Sequence, residues 1–332
     1  MAARHHDLRL LNLYRADDRR GGRLSRANLL RTVADARAVF VASRDADIVH
    51  IHTALLPLVT MLRAGLLARA ARRAGARVLL HVHSGLAQTW LTTRSRRVLA
   101  GRVLGAADRL IVVTEGSRAA LAAALGAERV LLIDNGVEIE PSARPPAHQP
   151  PRILYVGVLS PRKGLIELSQ ASFLLLERGV DHEVWLVGGT PEEGDAPEAE
   201  VRAAAGDRVR FLGVRPREDM PAIYREGDVF CLPSWYEGMP LSLLEAMAAG
   251  LPVVATAVGD VGRVVADSVT GRVIAVHDVS TLASALEILL RDPALRQRMG
   301  NAGRERVEAD FDIQNTCARV DALYTELSRR SA

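Results

Sequence analysis

Two glutamates eight residues apart, Glu237 and Glu245, bracket the stretch Glu-Gly-Met-Pro-Leu-Ser-Leu-Leu-Glu, which follows a short apolar strand-like run, Asp228–Leu232. Pro240 suits the first turn of a helix, where its missing N–H has no intrahelical partner to lose, and Gly250 followed by Pro252 marks that helix's end. Glu237 is thereby expected on the loop at the strand's C-terminal edge and Glu245 inside the helix. In open parallel sheets ligands sit at that edge. A helix N-terminus there, at Gly238, Met239 and Leu241, turns unpaired N–H groups and the positive end of its dipole toward a diphosphate. Glu237 would then meet a sugar beyond the phosphates, and Glu245, two turns further in, would accept hydrogen bonds from ribose hydroxyls. Most glutamate pairs are a turn cap and a solvated helix residue; the flanking strand, glycine, proline and helix set this one apart.

A second constellation is Ile153-Leu-Tyr-Val-Gly-Val-Leu-Ser-Pro-Arg-Lys-Gly164, a strand, a glycine turn and a helix starting near Gly164. Lys163 is the chain's one lysine among 43 basic residues. In so arginine-rich a sequence, the compact ammonium falls where a phosphate clamp is needed. Arg162 adds a second positive charge there or is a solvated loop residue. Gly188-Gly189 and Gly213 fall at strand ends, as turns or as places where a base and ribose approach backbone.

In the first half, Gly21 and Gly22 precede a helix expected over Ser25–Ala42, and either admit a phosphate oxygen to backbone N–H groups or form a plain helix entry. His83 ends a strand at a Gly turn, on the edge that would face a cleft; His81 points to the same side but deeper, as a core residue would. His50 and His52 end the preceding strand. None of these histidines has a recognised ligand spacing, so no metal is expected. Asp45-Ala-Asp47 lies before its strand, at the wrong edge for a metal-chelating pair.

The elements that must position these residues alternate between β-branched apolar runs and helix-like segments, the pattern of parallel sheets covered by helices. Strands are expected at Leu8–Tyr14, Asp47–Ile51, Arg77–His83, Arg109–Thr114 and Val130–Ile133. A second set is expected at Ile153–Val158, Glu183–Val187, Arg208–Leu212, Asp228–Leu232, Pro252–Thr256 and Arg272–Val276. Each set suits one Rossmann-like sheet. The proline-rich stretch from Glu140 to Pro151 separates them as a linker. The implied domains are 1–140, 152–310 after a linker at 141–151, and a last helical segment at 311–332. A chain of 332 residues can bury two cores. Residues 1–150 carry 23 Arg against 12 acidic residues (+11), and residues 151–332 carry 20 basic against 27 acidic (−7). The Arg63–Arg77 and Arg94–Arg102 clusters are solvated faces or a surface for anionic lipid or an anionic acceptor. Cys231 and Cys317 have no disulfide or zinc spacing, and the start lacks the long apolar core of a signal peptide. A cytoplasmic protein is expected, with peripheral contact at the inner face of the membrane as one use of its basic half.

The chain resembles the family 4 glycosyltransferases of the GT-B fold, retaining enzymes of polysaccharide, lipid and natural-product synthesis. The resemblance runs from Gly21-Gly22 through Asp134-Asn-Gly-Val137, Gly157…Lys163-Gly164 and Glu237…Glu245 to the last helix with Tyr324. It implies two Rossmann-like domains facing across a cleft, with Lys163 on the donor diphosphate, Glu245 on the ribose, and Glu237 on sugar hydroxyls near the anomeric carbon. It also implies His83 on the donor sugar or acceptor, and a final helix that crosses back onto the N-terminal domain. Val158 stands where the family usually has an Arg that also holds the diphosphate, and Arg263 replaces a common Glu.

The expected activity is transfer from a UDP- or GDP-sugar to a polysaccharide, glycolipid or natural-product acceptor, with no metal, no cofactor and no nucleic-acid partner. The nucleotide-sugar is a co-substrate. Two alternatives share the architecture: a nucleotide-sugar isomerase or epimerase, which needs an acid/base pair around the sugar, and a non-catalytic nucleotide- or carbohydrate-binding protein, favoured if Val158 and Arg263 mark lost function. A dinucleotide oxidoreductase is poorly supported, because no Gly-x-Gly-x-x-Gly follows a strand.

Overall fold

The computed structural model describes residues 6–13, 26–55, 58–141, 147–189, 196–204 and 206–329. The chain divides into two compact units, one of residues 1–134 with 316–332, the other of residues 135–315. Gly21 and Gly22 lie outside the described residues.

The first unit is built on a parallel sheet in the order β1 (Ile48–Thr53), β2 (Arg77–Val82), β3 (Arg109–Val112), β4 (Val130–Leu132). Alternation along β2 sends Val78, Leu80 and Val82 into one core, with Leu67, Ala68 and Ala71 of the helix Leu58–Arg73 and Leu104 of the helix Arg94–Leu104. Leu79 faces the other way and packs with Ile111, Ile133, Val320, Leu323 and Leu327, the last three from the helix Ile313–Arg329. His81 shares this second face.

The strand expected at Leu8–Tyr14 is not formed. Among the described residues, 8–13 carry no strand, and β1 pairs only with β2. Leu10 is 94% exposed, with Leu8 and Leu11 also exposed, so the apolar run buries too little surface to hold a strand at that edge.

The second unit holds a six-stranded parallel sheet in the order β10 (Gly271–Ile274), β9 (Val253–Thr256), β8 (Val229–Leu232), β5 (Arg152–Val156), β6 (Glu183–Val187), β7 (Val209–Gly213). The central strands β8, Val-Phe-Cys-Leu, and β9, Val-Val-Ala-Thr, are buried along their whole length, as a sheet covered on both faces requires. The chain starts in the middle at β5, goes out through β6 and β7, then returns to β8 on the other side. Strand order therefore reverses between β5 and β8, and the loops leaving their C-terminal ends diverge and open a crevice. Those loops carry Lys163 and Glu237.

Three close backbone approaches shape this edge. Gly157 N donates to Val187 O at 2.9 Å and Gly188 N to Gly213 O at 2.9 Å, which ties together the ends of β5, β6 and β7. A Cβ on Gly188 would meet Gly157 O at 1.9 Å, so the Gly188 turn admits neighbouring backbone rather than a base. Gly164 has φ +69°, and a Cβ there would meet Pro233 O at 2.0 Å. Gly164→Ala combines left-handed strain with a backbone collision and should destabilise the second unit by about 3 kcal/mol; a urea midpoint unchanged from the parent would contradict this.

Candidate active site at the switch point of the second sheet

After β5 the chain passes Gly157, forms a single turn at Pro161–Lys163, and enters the helix Leu165–Glu177 through Gly164. After β8 it runs Pro233-Ser-Trp-Tyr-Glu237. Trp235 N donates to Arg162 O at 2.8 Å, which binds the two loops side by side. Lys163 Nζ donates to Glu237 Oε1 at 2.5 Å, and Ser234 Oγ donates to the same oxygen at 2.7 Å. Glu237 is only 8% exposed. A buried carboxylate requires compensation, and here one ammonium and one hydroxyl converge on a single oxygen.

Glu237 is held from behind as well. Asp260 N donates to Gly238 O at 3.0 Å, and Gly259, at φ +52°, brings backbone against the carbonyls of Glu237 and Gly238 where a Cβ would collide at 2.4–2.5 Å. Thr256 at the end of β9 donates its hydroxyl to Ser234 O. Asn135 Nδ2 donates to Met239 O at 2.8 Å. The helix Leu241–Ala248 follows, with Pro240 at its N-cap in extended conformation and no side-chain cap, so Pro240 lies one residue before the first turn expected for it.

Glu245 lies on that helix, where its Oε2 accepts from Tyr224 OH at 2.7 Å. It lines a cavity of about 360 Å³ with Leu241, Gly136, Arg217, Tyr224 and Arg304. The volume is that of a small-molecule site. Arg162 is exposed beside Lys163, and Val158 is exposed on the turn before it. Arg263 donates to Asp260 Oδ2 at 2.6 Å, so it braces the Gly259–Asp260 turn behind Gly238.

Lys163, Glu237, Gly238, Met239, Leu241 and Glu245 all belong to the second unit, with Lys163 against Glu237 and with Leu241 and Glu245 on the cavity, which Lys163 and Glu237 do not line. His83 belongs to the first unit, at the exposed end of β2, with its Nε2 2.8 Å from His52 Nδ1. Around it stand His50, His52 and His81. Burial pushes His50 to about 3, His81 to about 2 and His83 to about 4, and mutual repulsion of the rings adds to each shift. Asp45-Ala-Asp47 lies in the turn preceding β1.

Sequence reading missed Ser234, Thr256 and Tyr224, although Ser234 lies only three residues before Glu237, and it named Asn135 within the Asp134–Val137 motif without giving it a role. It also missed a trio centred on the buried Glu167. Glu167 Oε1 accepts from Trp235 Nε1 at 2.7 Å and lies 2.8 Å from His277 Nδ1, and His277 holds φ +64°. This anchors the side chain that precedes Tyr236 and Glu237, with no local signal to announce it.

Comparison with known proteins adds to this geometry. The family described as "Glycosyl transferases group 1" matches residues 137–306, and a "Glycosyl transferase 4-like domain" matches residues 3–136. A D-inositol 3-phosphate glycosyltransferase of Kribbella flavida is 32% identical over 244 residues, 67% of this chain and 57% of that protein. The protein of that name from Corynebacterium efficiens is 36% identical over 180 residues, 52% of this chain and 42% of that one. The chain therefore spans about half the length of these curated relatives. Sucrose-phosphate synthase from Thermosynechococcus elongatus superposes with a TM-score of 0.74 at 26% identity, covering 92% of this chain and 80% of that one.

Proposed function

The chain belongs to the group 1 glycosyl transferases, and from that premise we propose that it moves a sugar from a nucleotide-sugar held by the second unit to a hydroxyl acceptor, with retention and without a metal. The observation that carries this reading is the Lys163–Glu237–Ser234 cluster at the switch point, beside an uncapped helix N-terminus. The donor diphosphate lies against Lys163 Nζ and the N–H groups opening the helix Leu241–Ala248, with Arg162 in reach to replace the arginine absent at Val158. As the anomeric C–O bond breaks, negative charge grows on the departing diphosphate. Lys163 and the helix terminus stabilise it more than the ground state, which is the work a metal does in other architectures.

Glu237 contacts sugar hydroxyls near the anomeric carbon and is not the attacking group. Its oxygen is held by Lys163 and Ser234, so it orients the sugar and balances the positive charge around it. Front-face attack by the acceptor hydroxyl, whose proton passes to the departing diphosphate oxygen on the same face, gives retention through an oxocarbenium-like transition state without a covalent intermediate. Glu245 takes the ribose in its cavity, and His83 of the first unit contacts the donor sugar or the acceptor, as the family resemblance implies. The donor is a UDP- or GDP-sugar, and the acceptor a polysaccharide, glycolipid or natural product.

Tyr224 donates to Glu245 and thereby orients its carboxylate. Tyr224→Phe should cost about 1 kcal/mol of stability and weaken nucleoside diphosphate binding several-fold; an unchanged calorimetric affinity would remove Tyr224 from this role.

Titration of UDP-, GDP- and other nucleotide-sugars in EDTA, with release of free nucleotide as the readout, tests the proposal. One donor should bind and be slowly hydrolysed without metal. Restoration of release only by added Mg²⁺ or Mn²⁺ would overturn the metal-free reading.

The reaction is placed in the cytoplasm, with peripheral contact at an anionic membrane surface. Among the described residues no helix is long and apolar enough to cross a membrane. The helix Arg94–Leu104 exposes Arg94, Arg96 and Arg102 together with Val98 and Leu99, the mixture of basic and apolar side chains that adheres to such a surface. Flotation with anionic vesicles, weakened by salt, is the expected result; no co-flotation at low salt would end this part of the proposal.

A further inference from the structure

The donor-binding residues Lys163, Glu237 and Glu245 belong to the second unit, and of the four histidines clustered in the first only His83 has a proposed part in transfer. His50 and His52 stand two apart on β1, His81 lies on β2 with His83 just past its end, and the ladder sets His52 opposite His81. Strand alternation therefore puts all four rings on one face of the sheet. His50 and His52 stack with centroids 4.4 Å apart, and His81 and His83 at 4.2 Å.

The nitrogens are poorly satisfied. His50 Nδ1 lies 2.7 Å from Tyr324 OH, which leaves Nε2 buried with no hydrogen-bond partner among the described residues. His81 is 8% exposed, and neither of its nitrogens has a partner among those residues. His52 Nδ1 faces His83, leaving Nε2. Buried polar atoms are normally paired, so an orphaned imidazole beside two others requires a reason.

We propose that His50, His52 and His81 form a binding site for a divalent transition metal of the zinc class. One nitrogen from each of the three lies within 4.8 Å of the others. Tetrahedral Zn–N bonds of about 2.0–2.1 Å need the nitrogens about 3.3 Å apart and each ring plane aimed at the ion, so the rings, stacked within 8° for His50 and His81, must turn about their side-chain bonds to close the site. Imidazole suits zinc, copper and nickel and ligates them in its neutral form. The fourth position is left to water.

The neighbours fit this role. Tyr324 fixes the orientation of His50 from the helix Ile313–Arg329, as an outer-shell partner does. With His52 Nε2 on the metal, its Nδ1 keeps the proton and donates to His83 Nε2. The metal thus sets the tautomer of His83 while holding β1, β2 and the last helix together. None of these ligands belongs to the donor machinery of the second unit.

The full chain without a polyhistidine tag should bind one equivalent of Zn²⁺ by calorimetry and give visible absorption bands of imidazole-bound Co²⁺. Zn²⁺ should raise the thermal midpoint, and EDTA should reverse the rise. His52 is exposed, so His52→Ala keeps the fold; it should weaken Zn²⁺ at least tenfold and abolish the cobalt bands, whereas His277→Ala should change neither. No stoichiometric binding at micromolar Zn²⁺, or equal binding by His52→Ala and the parent, would overturn the site. Donor binding measured in EDTA reads Lys163, Glu237 and Glu245 of the second unit, and Zn²⁺ binding is measured without a nucleotide-sugar, so the two proposals can fail separately.

Discussion

Lys163→Ala is expected to reduce nucleotide release from the donor by a hundred- to a thousandfold, roughly 2.7–4 kcal/mol of transition-state stabilisation, as measured by single-turnover kinetics on the preferred nucleotide-sugar. Lys163 is the chain's sole lysine, and its ammonium is the one placed at the buried end of the β5 and β8 loops, against Glu237. The same substitution should also lower stability. It leaves the Glu237 carboxylate 8% exposed with Ser234 as its remaining side-chain donor, and breaking a buried pair from one side costs about 3–5 kcal/mol. The sequence alone suggests a variant that is inactive yet folded as before; the ion pair changes that expectation. The double substitution Lys163→Met with Glu237→Gln separates the two effects. Both charges are gone, so the unfolding midpoint should recover most of the loss, while release stays as slow as in the single variant. Recovery of activity along with stability would mean that Lys163 serves the fold alone.

That ion pair also marks where sequence reading stops. The loop position of Glu237, the helical position of Glu245 and the turn before Gly164 follow from local signals: Pro240, Gly250 and a strand ending in glycine. Contact between Lys163 and Glu237, 74 residues apart, depends on β8 pairing with β5 rather than with β7. Strand order is non-local, and no spacing in the sequence encodes it. The apolar run at Leu8–Leu11 fails for the converse reason. Its composition suits a strand, but a strand requires a hydrogen-bonded partner and a buried face, and these residues remain exposed while β1 pairs with β2 alone.

The histidines show the same division. Period-2 alternation assigns His81 to the interior, where it is found, and brings His83 to the exposed end of β2. That His50 and His52 stack beside them follows from the register of β1 against β2, which sets His52 opposite His81. Motif spacing along one strand could not reveal a ligand set shared between two. The anchoring of Trp235 by Glu167 and His277 draws on three separate loops and helix starts, and the side chains carry no signature when read singly.

Glu237→Gln should separate binding from chemistry. Glutamine keeps the size and an acceptor oxygen, so Lys163 and Ser234 retain a partner and the fold should hold, with a modest loss of stability. What disappears is the negative charge that engages Lys163 at 2.5 Å. With the ammonium released from its ion pair, the phosphates of a nucleoside diphosphate gain a stronger cation, and UDP or GDP should bind as tightly as to the parent or more tightly. Turnover should fall by two to three orders of magnitude, about 2.7–4 kcal/mol, because the charge that steadies the sugar near its developing positive centre is missing. Calorimetry with the nucleoside diphosphate and single-turnover kinetics with the nucleotide-sugar read the two quantities independently. Affinity and rate falling together, with a lowered unfolding midpoint, would make Glu237 a structural partner of Lys163. Tighter binding with slow chemistry requires that Glu237 act on the sugar itself, since a residue that only held Lys163 in place would weaken the phosphate contact when removed.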